Sequence, residues 1–381
     1  METLKLLFIF YSIFIMVTTF IYSSGMETYW YEDSIDYNSY EDFPIKVIVG
    51  DNVLFIREYA FQDVSLGECI ISDDAELKYI GEYAFYNTSI SSFNLPNAVE
   101  TIGNYAFSNC KYLHNFDISS GSQLQSIGDY CFYNTQVFSM LVPDNIKYIG
   151  DYAFAKTYVL IHRFPDSLIV IGNHSFEECF ISVLILGINV EHIGDYAFNN
   201  CPIMFYVNFL GNKLQHIGKH AFEGTALGTI LLPSSVTHIG DYAFNNLSSL
   251  TTLTISNDSQ LRTIGKYAFN NTNITSLNLH DSVTNIGHCA FQNTHIPYVN
   301  LGLNLRVIDD YAFNNTDISH ITINIDMDKV GSYAFPYSDI LFTSLTSSIN
   351  AYKDNFDEES SRLLLSIYNF IKFNERFDIK N

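Results

Sequence analysis

The sequence predicts a repeat solenoid in which each repeat of 22–25 residues supplies one short parallel strand and one helical or 3-10 turn. Three observations predict it. One phrase, clearest as Ile-Gly-Asp-Tyr-Ala-Phe-Asn-Asn at Ile193 to Asn200, recurs thirteen times. Its anchor phenylalanines, Phe61, Phe85, Phe107, Phe132, Phe154, Phe176, Phe198, Phe222, Phe244, Phe269, Phe291, Phe313 and Phe335, are spaced by 22, 24 or 25 residues. Between anchors, polar and apolar residues alternate over a few positions, as in Ser92-Phe93-Asn94-Leu95. A chain of 381 residues would otherwise suggest two or three domains. The unbroken period argues for one elongated body, with rungs numbered one to thirteen by their anchors.

Within each rung, the alternating segment reads as a strand with one buried face. Proline follows it in register at Pro96, Pro143, Pro165 and Pro233. Lacking an amide hydrogen, proline ends the ladder there. A glycine then marks a turn, followed by Asp or Glu in seven rungs: Glu58, Glu82, Asp129, Asp151, Asp195, Asp241 and Asp310. A carboxylate there suits the start of a short helix, where unpaired amides and the local dipole favour negative charge. Two residues past the anchor stands asparagine in eight rungs, from Asn87 to Asn315, or Gly224. Both residue types tolerate the left-handed backbone that closes a helical turn.

No single repeat buries its own Phe, Ile and Leu, so the core forms only by stacking. The ends therefore need covers. Ile45 to Val53 matches the strand half of a repeat and is expected to start the sheet. Asp354 to Phe373 places Leu363, Leu364, Ile367, Phe370 and Ile371 at helical spacing, which predicts an amphipathic helix over the last rung. Four segments follow: a signal peptide or uncleaved anchor at 1–25, an acidic tyrosine-rich leader at 26–44, the repeats at 45–345, and a capping helix and tail at 346–381.

The phrase Ile-Gly-x-Tyr-Ala-Phe-x-Asn-Cys/Thr followed by Ile-x-x-Leu-x-Leu-Pro resembles the BspA-like leucine-rich repeats, over about Ile45 to Leu345. The resemblance implies a right-handed leucine-rich repeat superhelix and a surface antigen or adhesin that binds proteins or cells. It implies no catalytic residue.

Compartment and charge agree with that expectation. An uncharged apolar run from Leu6 to Tyr22, ending in Ser23-Ser24-Gly25, fits a signal peptide cleaved after Gly25, with an uncleaved anchor as the alternative. Either places the repeats outside the cell or on its surface. The chain has 41 acidic and 19 basic residues, a net charge of −22, which repels nucleic acid and anionic membranes.

Six cysteines first suggest disulfides, but the repeat register separates most of them beyond bridging distance. Cys179 and Cys201 occupy one column of adjacent rungs, where a bridge is geometrically allowed; burial as free thiols is the simpler reading. Seven Asn-x-Ser/Thr sequons occur, at Asn87, Asn173, Asn246, Asn257, Asn270, Asn273 and Asn314, but the repeat's own need for Asn beside Thr generates such triplets.

For chemistry, His192, His216 and His238 fall in one column of consecutive rungs, a candidate transition-metal site and a pH-sensitive group. The acidic column, one carboxylate per rung and interrupted by Asn104, Lys219 and Lys266, does not gather the oxygens that calcium needs. No phosphate loop, His-Glu-x-x-His, Cys-x-x-Cys or nucleophile elbow is present, and no cofactor is called for. An enzyme built on a solenoid should cluster acids and bases over two or three rungs.

The outward strand positions carry the informative signal. They are polar at Ser92, Asn94, Asn115 and Asp117 and again at Thr252, Thr254, Ser276 and Asn278. Between them lie Leu141, Ile161, Arg163, Val183, Ile185, Tyr206 and Leu231. Such a run marks a contact surface on rungs four to eight. It predicts a non-enzymatic protein that binds a protein ligand or cell surface there. A coat protein that self-associates through the same patch is the alternative, and a polysaccharide-acting solenoid enzyme the third reading.

Overall fold

The computed structural model describes residues 19–21, 45–323, 327–336 and 341–344. Its backbone is a parallel β-solenoid with two strand-forming segments per rung. The sheet that runs its length is built from dipeptides. It has thirteen strands in parallel register, from Phe55–Ile56 to Lys329–Val330, one for each repeat. In each, one residue faces out and an Ile or Val faces the core, as where Tyr79 pairs Thr101 and Ile80 pairs Ile102. The sequence reading gives these residues no strand of their own, because a two-residue strand is too short to show a period.

The alternating segments form the second, discontinuous ribbon. Ser92–Leu95 pairs Asn115–Ile118, Val183–Leu186 pairs Tyr206–Phe209, and Thr229–Leu232 pairs Thr252–Ile255. Four more strands, from Leu277–Asn278 to Leu341–Ser344, form one sheet toward the C-terminal end. At the front, Ile45–Val49 lies between Leu66–Ile71 and Thr19–Ile21, all parallel. The expectation that Ile45 starts the sheet thus meets one addition, since Thr19–Ile21 falls inside the apolar N-terminal run. The acidic leader and the C-terminal helix predicted at 354–373 lie outside the described residues.

The corner that carries the repeated phrase contains no helix among the described residues, which corrects the expectation of a helical or 3-10 turn. Its amides alternate between two destinations. In rung two, Tyr83, Phe85 and Asn87 donate to the carbonyls of Asn104, Ala106 and Ser108 in the next rung at 2.7–2.9 Å. Ala84, Tyr86 and Thr88 donate back three residues at 3.1–3.3 Å. A helix would keep every amide within its own segment, whereas here half of them stitch the rungs together. The alternation requires a left-handed residue every fourth position, at Tyr83 (φ 54°) and Asn87 (φ 53°). Asparagine was expected there; tyrosine, which lacks that preference, was not. Stacking compensates, since the rings of Tyr83, Tyr105, Tyr130 and Tyr152 lie 4.5–4.7 Å apart, and His174 and His220 continue the column.

The acidic column follows the same logic and is not a set of helix starts. Asp129 Oδ1 accepts the amide of Asp151, and Asp151 Oδ1 accepts the amide of Asn173, at 2.7–2.8 Å. Asn104 and Asn173 accept identically, so where Asp or Asn stands in the column the oxygen matters and not the charge. Beside it, the repeated glycine has a steric role. A Cβ on Gly194 would sit 2.6 Å from the backbone of Gly172 and Asn173 in the rung before.

Inside, the anchor rings stack in file, with Phe85 and Phe107 at 5.0 Å and Phe313 and Phe335 at 5.6 Å. Phe93 and Phe116 meet them edge-on from the ribbon. Each such pair contributes roughly 0.5–1.5 kcal/mol beyond the area it buries. The small residues after the corner seal it: Thr135 donates to the carbonyl of Phe132 at 2.9 Å, and Cys179 to that of Phe154 at 3.0 Å.

Candidate functional site

Because every rung fills the same interior, differences between rungs can appear only on the outside. The ribbon is where they appear. Each ribbon segment begins after the Thr or Cys that ends the corner and turns alternate side chains outward. Leu141, Tyr206 and Leu231 are exposed as expected, with Leu141 at 50%. Arg163 is exposed, and Val183 and Ile185 are partly so.

Ile161 is a correction. It is buried, with only 3% of its surface accessible, while His162 and Arg163 both face out and Phe164 turns back in. Rung five reaches its inward position one residue early after the anchor, and a one-residue slip exchanges the two faces of a strand. Pairing is reduced there to isolated bridges, Ser139 with Leu160 and Arg163 with Ile185.

The slip leaves the patch intact, because sequence reasoning missed its larger members. Phe138 and Phe205 are each 58% exposed, and Tyr112, Tyr158 and Phe180 are exposed beside them. They precede the regular strand, in the stretch that bridges corner and ribbon. The signal was available: four to seven residues past the anchor, an aromatic occurs in each of rungs three to seven and again only at Tyr298 among rungs eight to twelve. Tyr158 and Phe180 stack across adjacent rungs, with ring centroids 5.3 Å apart and planes within 15°.

The electrostatics of this strip differ from those of the chain. Residues 135–142, 157–164, 179–186, 201–209 and 225–232 contain no Asp or Glu, although the chain has 41. Their only ionisable charge-bearing side chains are His162 and Arg163. Lys111 and His114 stand next to them in rung three, with Asp117.

The histidine column lies elsewhere, on the outer row of the thirteen-stranded sheet, where His192 pairs His216 and His216 pairs His238. The rings of His192 and His216 stack at 6.3 Å, and those of His216 and His238 lie 4.9 Å apart, tilted by 32°. Among the described residues no group of three His, Cys, Asp or Glu is placed to hold a metal ion. Desolvation, and then the charge that His238 and His192 would carry, hold His216 below its ordinary value.

All six cysteines are buried and free, Cys179 and Cys201 included. Burial pushes the Cys110 thiol up to about 11 and that of Cys179 to about 12, so neither is an activated nucleophile. The asparagines of the corner are likewise structural. Asn271 donates to Asn246, Asn293 to Asn271 and Asn315 to Asn293 at 2.7–2.8 Å.

With this geometry in view, known proteins can be compared. The family model described as BspA type leucine rich repeat region matches with six copies, over residues 33–161, 125–251 and 215–342. No curated protein matches. Among solved structures, a leucine-rich repeat protein from Bacteroides ovatus is 23% identical, with 80% of this chain and 92% of that chain covered and a TM-score of 0.49. The pneumococcal vaccine antigen PcpA is 18% identical, with 82% and 77% covered and a TM-score of 0.44. A leucine rich cell surface protein from Faecalibacterium prausnitzii is 21% identical, with 81% of each chain covered and a TM-score of 0.39.

Proposed function

Since the chain belongs to the BspA-type leucine-rich repeat family, we propose that it is a non-enzymatic secreted or surface-displayed protein that engages a protein partner through the ribbon of rungs three to eight. One observation carries the reading: Phe138, Tyr158, Phe180, Phe205 and Tyr206 are all exposed on one strip. Five aromatic side chains at roughly half exposure present on the order of 500 Å² of ring surface. Adding Leu141 and Leu231 brings the strip toward the ~800 Å² that one partner contributes to a standard interface, and beyond the few hundred Å² usual on a monomer. The mechanism is geometric. A rigid stack presents an apolar centre between the polar rows of Ser92 and Asn115 on one side and Thr252 and Thr254 on the other.

The absence of carboxylates from the strip in rungs four to eight argues against hydrolytic chemistry there, which needs a positioned acid and base. The apolar N-terminal run and the surface role implied by the family support display outside the cell.

The test is display of the chain to candidate cells or extracellular proteins, with and without Phe138→Asp and Phe205→Asp together. Loss of binding with an unchanged circular dichroism spectrum is expected; full retention of binding would remove the strip from consideration. Self-association is the second reading, favoured by the strip of rungs four to eight carrying no carboxylate on a chain of net charge −22. Sedimentation at high concentration decides it, since a clean monomer excludes it.

A further inference from the structure

We infer that the partner seated on this ribbon is an acidic protein segment, one that interleaves carboxylates with apolar side chains. The inference rests on the ribbon being a binding face and adds the chemistry of what it binds.

Three observations converge. First, the strip of rungs four to eight contains no carboxylate, while Arg163 projects from its middle. Arg163 makes none of the ion pairs formed among the described residues, which include the cross-rung pairs Lys78–Glu100 and Lys329–Asp309. A guanidinium in an apolar field is matched by a carboxylate, which it can hold through two parallel hydrogen bonds. Lys111 adds a second cation in rung three, beside Asp117.

Second, Tyr158 stacks on Phe180 across adjacent rungs, so each ring covers one face of the other and leaves its edge as the part an anion would meet. An aromatic edge is the positive part of its quadrupole, so it favours an approaching anion. A sugar ring, which packs on aromatic faces, finds one face of each ring occupied at this pair.

Third, a second copy of the chain is poorly matched. A two-fold contact centred on the strip sets like against like. Where such a contact sets rung five against rung five, Arg163 of one copy meets His162 and Arg163 of the other with no carboxylate of the strip between them.

The experiment titrates the full chain against an immobilised random copolymer of glutamate and tyrosine. A lysine–tyrosine copolymer, polyglutamate and dextran sulfate serve as the comparison probes. The glutamate–tyrosine copolymer is expected to bind, and about tenfold more weakly after Arg163→Glu or on raising salt from about 50 to about 300 mM, as for a charge-steered contact. Arg163→Lys should retain part of the affinity and polyglutamate should bind less, lacking apolar groups.

Equal binding of the lysine–tyrosine copolymer, indifference to Arg163→Glu, or dextran sulfate binding as well as the copolymer would each overturn the proposal. So would dimers on sedimentation that strengthen with salt and vanish with Phe205→Asp, which would name a second copy as the occupant. The underlying reading fails separately. If cell or protein binding is lost with Phe138→Asp and Phe205→Asp but not with Arg163→Glu, the face stands and the acidic partner falls. If it survives all three, the face itself falls.

Discussion

Asp129 Oδ1 accepts the backbone amide of Asp151, its counterpart one rung further on, at 2.8 Å. The pair explains a column that would otherwise look like helix capping or cation binding. A side-chain oxygen at this position does for the corner what a main-chain carbonyl does elsewhere: wherever Asp or Asn stands in the column, it hands the next rung an acceptor.

Acceptor and charge can be separated at Asp151. Asp151→Asn keeps the oxygen, as Asn104 and Asn173 do in neighbouring rungs, and should leave urea stability nearly unchanged. Asp151→Ala removes the acceptor from the amide of Asn173 and should cost about 0.5–1.5 kcal/mol. Equal losses for both variants would restore a role for the charge.

A methyl group at Gly194 tests how closely rungs approach. The added Cβ would fall 2.6 Å from the Gly172 carbonyl carbon and the Asn173 amide, both main chain and unable to swing away. Gly194→Ala should therefore destabilise by about 1–3 kcal/mol, the usual cost of overpacking. Gly228, whose Cβ would meet nothing nearer than 3.7 Å, is the control. A thermal melt in which Gly194→Ala matches Gly228→Ala would show that the rungs can part without cost.

Much of this architecture was legible because its residues have one use each. A phenylalanine every 22–25 residues has nowhere to go but a common core, and asparagine after it is suited to the left-handed φ it adopts, as at Asn109 and Asn200. The misreadings share a cause: a residue type with two physical uses. A carboxylate after glycine serves a helix start and a rung ladder equally. The dipeptide before that glycine, such as His192–Ile193, is a strand only because twelve others pair beside it. The aromatic strip was half legible. Leu141 and Leu231 follow from alternation, but Phe138 and Phe205 lie before the alternation begins.

Rung five gives the test of the register slip. Ile161 is buried, although its place in the repeat predicts exposure. Ile161→Asp should thus put an unpaired carboxyl into the core and cost more than about 3 kcal/mol. Leu141→Asp, at an exposed site one rung earlier, should stay within about 0.5 kcal/mol. Urea titrations showing both variants near wild type would return Ile161 to the surface and with it the original strip.

The histidine column offers a prediction in pH. His216 lies between His192 and His238 on the long sheet, and desolvation followed by these two neighbours holds it below the ordinary value of 6.5. The unfolded chain therefore binds the proton first as pH falls. Its contribution to stability is fully present above the ordinary value and is lost as pH drops through the depressed one. Ring-proton NMR should place the His216 midpoint below the ordinary value. Replacing both neighbours with asparagine should raise it toward the ordinary value while leaving part of the depression, because desolvation is the larger cause. A midpoint unmoved by the double replacement would show that the imidazoles do not sense one another, and one at or above the ordinary value in the intact chain would remove the column as a pH-responsive element.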